Sequence, residues 1–526
     1  MHAQYAHLAD LISSGARQHP SAPLWFLADD ATASETTVGD VYQSALSLVG
    51  HLQAAGLETG DAVAIWGGSS IPVATGIVAA LIGGFVAVPM LHTLGESDVN
   101  AIVDRAQCRA VIAGRGFRDR RFLPELERLG ERIGSLTVIA DDDAAAHRPV
   151  GSHRQLRSWD EVMAAPAPPV VAPTLTPDSR ACIFFTSGSS GQPKGVIHAH
   201  RSLVAEVFDW GSQLDVLDGS VFLQSFPIAH VGGIEGLVTA MGTGTSAVLL
   251  ESWHGDLAAD AIERHRVTAL GSTPFFVDTL ISAHDRGADL SSIRRIMTGG
   301  AMVTPQLIAE ADKRGLFVFR CYGSSEHPTV TGTDAGESLV ARSTTDGRPS
   351  GDSEVLIIDE HGEPLPNGSS GEVLLRGSEQ FVGYLGSDDA AIDRDGWFHT
   401  GDVGRIDGDG RLTITGRIKQ IIIRAGENIS IAEVEEVLAT HAAVRDCAVI
   451  GINEPVYGER ACAVVVTRDG SELDLADVRR HFESAGVARF KVPEYVMTLS
   501  ELPHNTVGKI DRNALRDALN DKSPFG

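Results

Sequence analysis

Positive charge is scarce in this chain: 43 lysines and arginines stand against 69 aspartates and glutamates in 526 residues, a formal net charge of −26. That balance excludes sequence-independent nucleic-acid binding and attraction to an anionic membrane surface, because both need a basic patch. Cysteine is scarcer still. The five cysteines, at positions 108, 182, 321, 447 and 462, form no Cys-x-x-Cys pair, so neither a disulfide framework nor a zinc site is indicated and buried free thiols are expected. The small-residue stretch 71–90 is interrupted by glycines and Pro89, which argues against a membrane span. The first ten residues carry neither a basic nor an apolar leader region, so cytoplasmic residence without integral membrane association is expected.

What is present is apolar content of 43%, enough for two to four domains that each bury a core. Residues 1 to about 175 alternate apolar runs (62–66, 85–90, 110–113, 135–139) with helical stretches such as 41–57, which reads as α/β. An Ala/Pro-rich linker at 164–177 leads into an apolar strand at 181–185. Further short strands are expected at 247–250, 269–270, 295–298 and 316–320. From 347 to 415 the texture changes to short alternating strands with glycine turns, at 354–358, 371–376 and 410–415, predicting a small β-rich subdomain. Beyond Gly416 a smaller unit begins, its first helix signalled by Ser430 as N-cap with Glu433 three residues on.

The most informative segment runs from 181 to 198. It joins the apolar strand to Thr186, Ser187, Gly188, Ser189, Ser190 and Gly191, and continues through Lys194 and Gly195. Glycines let backbone amides approach phosphate oxygens, the hydroxyls donate hydrogen bonds and the lysine supplies a cation, so a polyphosphate is the expected ligand. The spacing is not that of a Walker loop, because no hydroxyl residue follows the lysine. Read alone, the segment also fits a flexible Gly/Ser surface loop. Cys321, Tyr322, Gly323, Ser324, Ser325 and Glu326 follow a strand end, where open α/β sheets bind ligands. There an aromatic face can stack on a base and a carboxylate can hold a hard cation, although a plain turn with a core tyrosine fits as well. Asp402 offers two oxygens suited to a ribose diol, and Arg417 ends a hairpin where it could reach the same sugar; each also reads as an ordinary turn residue or solvated cation. Lys509 lies on a glycine-containing loop near the C-terminus, where a lone lysine is otherwise a solubility device.

Taken together and in this order, these segments resemble the adenylate-forming enzymes, which include acyl-CoA synthetases, firefly-type luciferases and peptide-synthetase adenylation domains. The resemblance runs from about residue 11 to 515. It implies an α/β fold: a large N-terminal domain of two stacked α/β subdomains plus a small β-rich subdomain, and a smaller, mobile α+β C-terminal domain. Residues 1–416 would form the N-terminal adenylation domain with the acyl and ATP sites, the β-rich subdomain spanning about 347–416, and 417–526 the mobile domain. The 186–195 segment is similar to the family's phosphate loop and 322–326 to its Tyr-Gly-x-Thr-Glu motif, with Ser325 in place of the commoner threonine and Ala425 in place of a frequent glycine. Asp402 and Arg417 resemble the ribose-binding pair, Lys419 the hinge, Gly426 the loop that turns inward toward CoA, and Lys509 the catalytic lysine. The resemblance implies ATP, Mg2+ held partly by Glu326, and CoA: a carboxylic acid is joined to AMP with release of pyrophosphate, then passed to CoA, the C-terminal domain swinging about Lys419 in between.

By the same resemblance Gly299, Gly300 and Ala301 line the nucleotide, while His230, Gly232, Gly233, Thr273 and Met302 line the acyl pocket. His230 lies beside the carboxylate as a candidate catalytic group, with a structural histidine as the alternative. No aspartate lies near 226–227 to hold an ammonium, and the pocket stretches contain no lysine or arginine for a second carboxylate, so a neutral hydrophobic acid is expected. The motif texture is most similar to ligases for medium-chain or cyclohexanecarboxylate-type acids. A carrier-protein-loading acyl-AMP ligase is the alternative, weakened by the seventeen residues after Lys509, which leave no room for a fused carrier. The expected partners are thus small molecules, with a homodimer left open.

Overall fold

The computed structural model describes residues 5–142, 156–186, 194–216, 220–387, 391–418, 421–424, 427–454, 458–485 and 487–521. Two large sheets organise the N-terminal part. One has seven strands in the order Val318–Arg320, Arg295–Thr298, Ala269–Ser272, Val221–Gln224, Ser246–Leu250, Pro23–Leu27 and Ala33–Thr37, parallel except for the last pair. The other has eight, in the order Gly383–Tyr384, Lys194–Ala199, Arg180–Thr186, Val86–Leu91, Ala62–Gly67, Ala110–Ala113, Thr137–Ala140 and Leu156–Ser158.

The central strands are continuous apolar runs because helices cover both faces of each sheet. Strand Ala62–Gly67 is buried at all six positions. The main core lies between the sheets, where Val63 and Ile65 from one and Leu24, Phe222 and Leu249 from the other enclose helices Val38–Ala54, Ile71–Gly83, His200–Leu214 and Val231–Thr243. A second cluster backs the eight-stranded sheet with helices Glu96–Arg105 and Leu123–Arg132, and a third backs the seven-stranded sheet with helices Gly255–His265 and Pro274–Asp285. This is the expected stack of two α/β subdomains.

Four antiparallel strands, Glu354–Ile358, Gly371–Arg376, Phe398–Ile406 and Leu412–Arg417, form the expected β-rich subdomain. The final unit is a five-stranded sheet built on the long hairpin Val444–Glu454 and Gly458–Thr467, packed against helices Ile431–Ala439 and Leu475–Ser484. Ser430 caps the first of these helices, its hydroxyl accepting from the Glu433 amide at 3.4 Å. Cys108, Cys182, Cys447 and Cys462 are buried free thiols and Cys321 is half-buried. Among the described residues no helix is long and apolar enough to cross a membrane.

Candidate active site

Four neighbouring parallel strands end on the same edge of the seven-stranded sheet, at Gln224, Ser272, Thr298 and Arg320. Their order in the sheet therefore sets side by side the loops that carry His230, Thr273, Gly299–Gly300 and Tyr322. Thr273 is fully buried with its hydroxyl unpartnered, and Gly299 presses so closely on Cys321 that a β-carbon there would sit 2.7 Å from its sulfur. In the turn after Tyr322, the Ser324 hydroxyl accepts from the Glu326 and His327 amides, both at 3.2 Å. Gly323 has no room for a side chain, since a β-carbon would lie 1.7 Å from the Pro328 carbonyl oxygen. The Ser325 carbonyl accepts from His198 Nε2 at 2.7 Å, and burial holds that imidazole neutral with its pKa lowered to about 4.

The β-rich subdomain contributes Asp402 and Arg417, which face one another in register on adjacent strands. Arg417 Nε lies 2.6 Å from Asp402 Oδ1, and the Tyr322 hydroxyl donates to Oδ2 at 2.5 Å. Asp402 is 3% exposed; burial raises its pKa, while the Arg417 charge and the Tyr322 hydrogen bond pull it back down. Arg417 itself stays exposed.

Lys194 begins the strand that pairs with Arg180–Thr186, opposite Thr186, and its ammonium lies 4.7 Å from the centre of the Tyr384 ring. The Tyr384 hydroxyl donates to Glu326 Oε1 at 2.7 Å, and burial first, then the Glu326 charge, push that phenol well above its ordinary pKa. Ser187, Gly188, Ser189, Ser190 and Gly191, with the hinge Lys419 and the CoA-loop Gly426, lie outside the described residues.

The last domain delivers Lys509 into this edge. The lysine Cε comes within 3.1 Å of where a Gly300 β-carbon would stand, and Gly300 is free of one at φ +73°. Burial lowers the pKa of Lys509 and the Arg417 charge adds to this, while Glu326 and Asp402 oppose it. The loop is pinned by Asn505, whose Oδ1 accepts from the Val507 and Lys509 amides at 3.1 and 3.0 Å. His504 stacks on Phe275 at 4.3 Å, and Gly508 packs against Thr273 and Phe276.

His230 caps helix Val231–Thr243: its Nδ1 accepts from the Gly232 amide at 3.2 Å, which leaves Nε2 as the N–H of a neutral ring. Burial and the Lys509 charge lower its pKa to about 3, so it acts as a hydrogen-bond donor and not as a cation. It stacks on Phe226 at 5.4 Å, and Gly232 packs against the same ring. Gly233 is required for a different reason, because a β-carbon would lie 2.1 Å from the Pro227 carbonyl oxygen. Met302, expected in the acyl pocket, has its apolar contacts with the core of the C-terminal domain, so its packing is interdomain. Ala301 is half-buried beside it.

Sequence reasoning singled out Tyr322, Glu326, Asp402, Arg417 and Lys509, and the structure brings them to one cleft. It missed Tyr384 and the Phe275–His504 contact; Gly383–Tyr384 is a two-residue strand with no periodicity to read.

Comparison with known proteins matches residues 13–385 to the AMP-binding enzyme family and residues 433–509 to the AMP-binding enzyme C-terminal domain. The chain is 31% identical over 517 residues to a medium-chain fatty-acid–CoA ligase of Escherichia coli (strain K12), covering 97% of this chain and 90% of that one. It is 33% identical over 514 residues to 3-[(3aS,4S,7aS)-7a-methyl-1,5-dioxo-octahydro-1H-inden-4-yl]propanoyl:CoA ligase of Mycobacterium tuberculosis (strain ATCC 25618 / H37Rv), covering 93% and 95%. Among solved structures, the amide bond synthetase McbA from Marinactinospora thermotolerans superposes with a TM-score of 0.82 at 27% identity, covering 97% and 99%.

Proposed function

Because the chain belongs to the AMP-binding enzyme family and, with its relatives, is an AMP-forming acid:CoA ligase, we propose that it activates a neutral hydrophobic carboxylic acid of medium-chain or alicyclic type. The observation that carries this reading is the meeting of Lys509, from the C-terminal domain, with the strand-end residue Gly300 and with the charges of Glu326 and the pair Asp402–Arg417, to which Tyr322 is hydrogen-bonded.

The chemistry follows from charge. A carboxylate is a poor acyl donor because its leaving group would be oxide. One carboxylate oxygen therefore attacks the α-phosphorus of ATP, the bond to the β-phosphate oxygen breaks, and pyrophosphate leaves with that electron pair. Two anions must approach, so the Lys509 ammonium offsets charge that builds in the transition state. Asp402 would accept hydrogen bonds from the ribose hydroxyls through lone pairs left over from Tyr322 and Arg417. Lys194 and the 187–191 segment would hold the outer phosphates, and the His230 Nε2–H would orient the substrate carboxylate.

Magnesium fits the oxygen chemistry of Glu326. Glu326 would hold the ion through a carboxylate oxygen, the ligand type that Mg2+ takes. When bound it would supply positive charge to the phosphate oxygens. In the second half-reaction the CoA thiol attacks the acyl carbonyl, the carbonyl–phosphate oxygen bond breaks and AMP leaves.

The neutral, hydrophobic character of the acid is supported by the aromatic wall of Phe226 and Phe276, whose centroids lie 6.2 Å apart, and by Gly271, where a β-carbon would meet Phe226 and Trp210 only at 3.7 Å. A pyrophosphate-release screen across short, medium-chain, alicyclic, aromatic and steroid-side-chain acids, with and without CoA, tests the reading. Fastest release with medium-chain or alicyclic acids, turning over only with CoA, is expected. Preference for dicarboxylic or amino acids, or turnover only with a carrier protein, would overturn it.

A further inference from the structure

Tyr384 lies outside every motif read from the sequence, yet its segment is stitched to two parts of the phosphate site. Tyr384 pairs with Val196 on the strand that follows the phosphate segment. The Leu385 amide donates to the Gly195 carbonyl at 2.7 Å and the Val382 amide to that of Ile197 at 2.8 Å. On the other flank, the Phe381 amide donates to the Glu326 carbonyl at 2.8 Å. The side chain repeats this bridge: its hydroxyl holds Glu326 Oε1 at 2.7 Å and its ring lies 4.7 Å from the Lys194 ammonium. Behind it, Phe381 packs edge-on against both Tyr384 and Phe398, each at 5.0 Å, and Phe398 opens the strand that carries Asp402.

We propose that Tyr384 is a positioning residue for the adenylation step, fixing Glu326 through Oε1 so that Oε2 faces a divalent cation and giving the Lys194 ammonium a partner that does not consume that carboxylate. A glutamate and a lysine that both reach one side chain would otherwise be drawn toward an ion pair, neutralising the two charges that a metal–triphosphate needs. The Tyr384 side chain contacts both. It satisfies the cation through its π face and the anion through its hydroxyl, and both charges stay available. Ordering a glutamate in advance also removes rotamer freedom that metal binding would otherwise have to freeze. The proposal rests on the reading of Glu326 as the metal-holding carboxylate.

The test uses the full-length enzyme saturated with α,β-methylene-ATP and titrated with Mg2+ by calorimetry, with Mn2+ paramagnetic resonance as a second readout. Tyr384→Phe keeps the ring and its packing and removes only the hydroxyl; it is expected to weaken Mg2+ binding about tenfold while leaving AMP affinity unchanged. Tyr384→Leu also removes the π face and is expected to weaken metal-free binding of the analogue. Glu326→Gln is the reference. If Glu326→Gln loses Mg2+ affinity and Tyr384→Phe does not, the role of Tyr384 is refuted and the reading of Glu326 stands. Were Glu326→Gln to bind Mg2+ as the unaltered enzyme does, the metal reading itself would fall, and this proposal with it.

Discussion

The Tyr322 hydroxyl donates to Asp402 at 2.5 Å across the junction between the seven-stranded sheet and the β-rich subdomain, fixing a nearly inaccessible carboxylate to the edge where four strands end. Tyr322 thus orients the group that would read the ribose. Tyr322→Phe strips a donor from a buried carboxylate, which favours the protonated form and raises the Asp402 pKa further. AMP affinity, measured by calorimetry from acid to neutral pH, is expected to fall about tenfold at neutrality and to be lost at a higher pH than in the unaltered protein as the solution is acidified. An unchanged acid limb would contradict the assignment of Asp402.

Gly508→Ala should separate the half-reactions. A β-carbon there would sit 2.4 Å from Thr273 Oγ1 and 2.8 Å from a Phe276 ring carbon, and the residue has φ +73°. The loop must withdraw by about an ångström, which can cost roughly 100-fold in a positioned reaction. Pyrophosphate release should fall by that order, while conversion of supplied acyl-AMP and CoA to thioester is retained. Equal loss in both assays would show that the loop position seen in this structure is not specific to adenylation.

Stability should fall on the alkaline side of neutrality. Glu206, Asp209, Glu235 and Glu379 are buried together, with the Thr329 hydroxyl donating to Glu206 at 2.6 Å and the Thr329 amide to Glu379 at 3.1 Å. Burial raises Glu206 to about 7 and Glu235 and Glu379 well above the ordinary carboxylate value. The folded state therefore holds protons that the unfolded state has released, and stability is lost as pH rises through the folded values. The buried imidazoles of His198, His200 and His327, lowered to about 4, act oppositely, but their contribution is complete once pH exceeds the ordinary value of 6.5. Above that pH the melting temperature should decline as pH rises through the raised values of Glu235 and Glu379, and Glu379→Gln should flatten the decline. Parallel slopes for the two proteins would refute the role of the cluster.

The elements that were legible in the sequence are those specified locally. Apolar runs at 110–113 and 295–298 became strands with the same bounds, and Ser430 begins its helix as its spacing with Glu433 requires. The helix expected from 41 begins at Val38, because the Thr37 hydroxyl accepts from the Asp40 amide and starts it a turn earlier. What was not legible depends on partners distant in sequence. Tyr384 acquires its position from Val196 and Glu326, Glu379 meets Glu206 only when the subdomain docks, and Met302 turns to the C-terminal core. Side-chain chemistry at the strand ends could be listed residue by residue, but the hydrogen bonds among them arise from sheet order, which no single stretch encodes.

Lys509, carried by the C-terminal domain, would serve the first half-reaction alone. Single-turnover measurement of the two half-reactions in Lys509→Ala tests it most directly. Acyl-AMP formation from acid and ATP should fall by about 100- to 1,000-fold while thioester formation from supplied acyl-AMP and CoA stays within a few-fold of the unaltered rate. Equal loss of both rates, or full retention of the first, would contradict it.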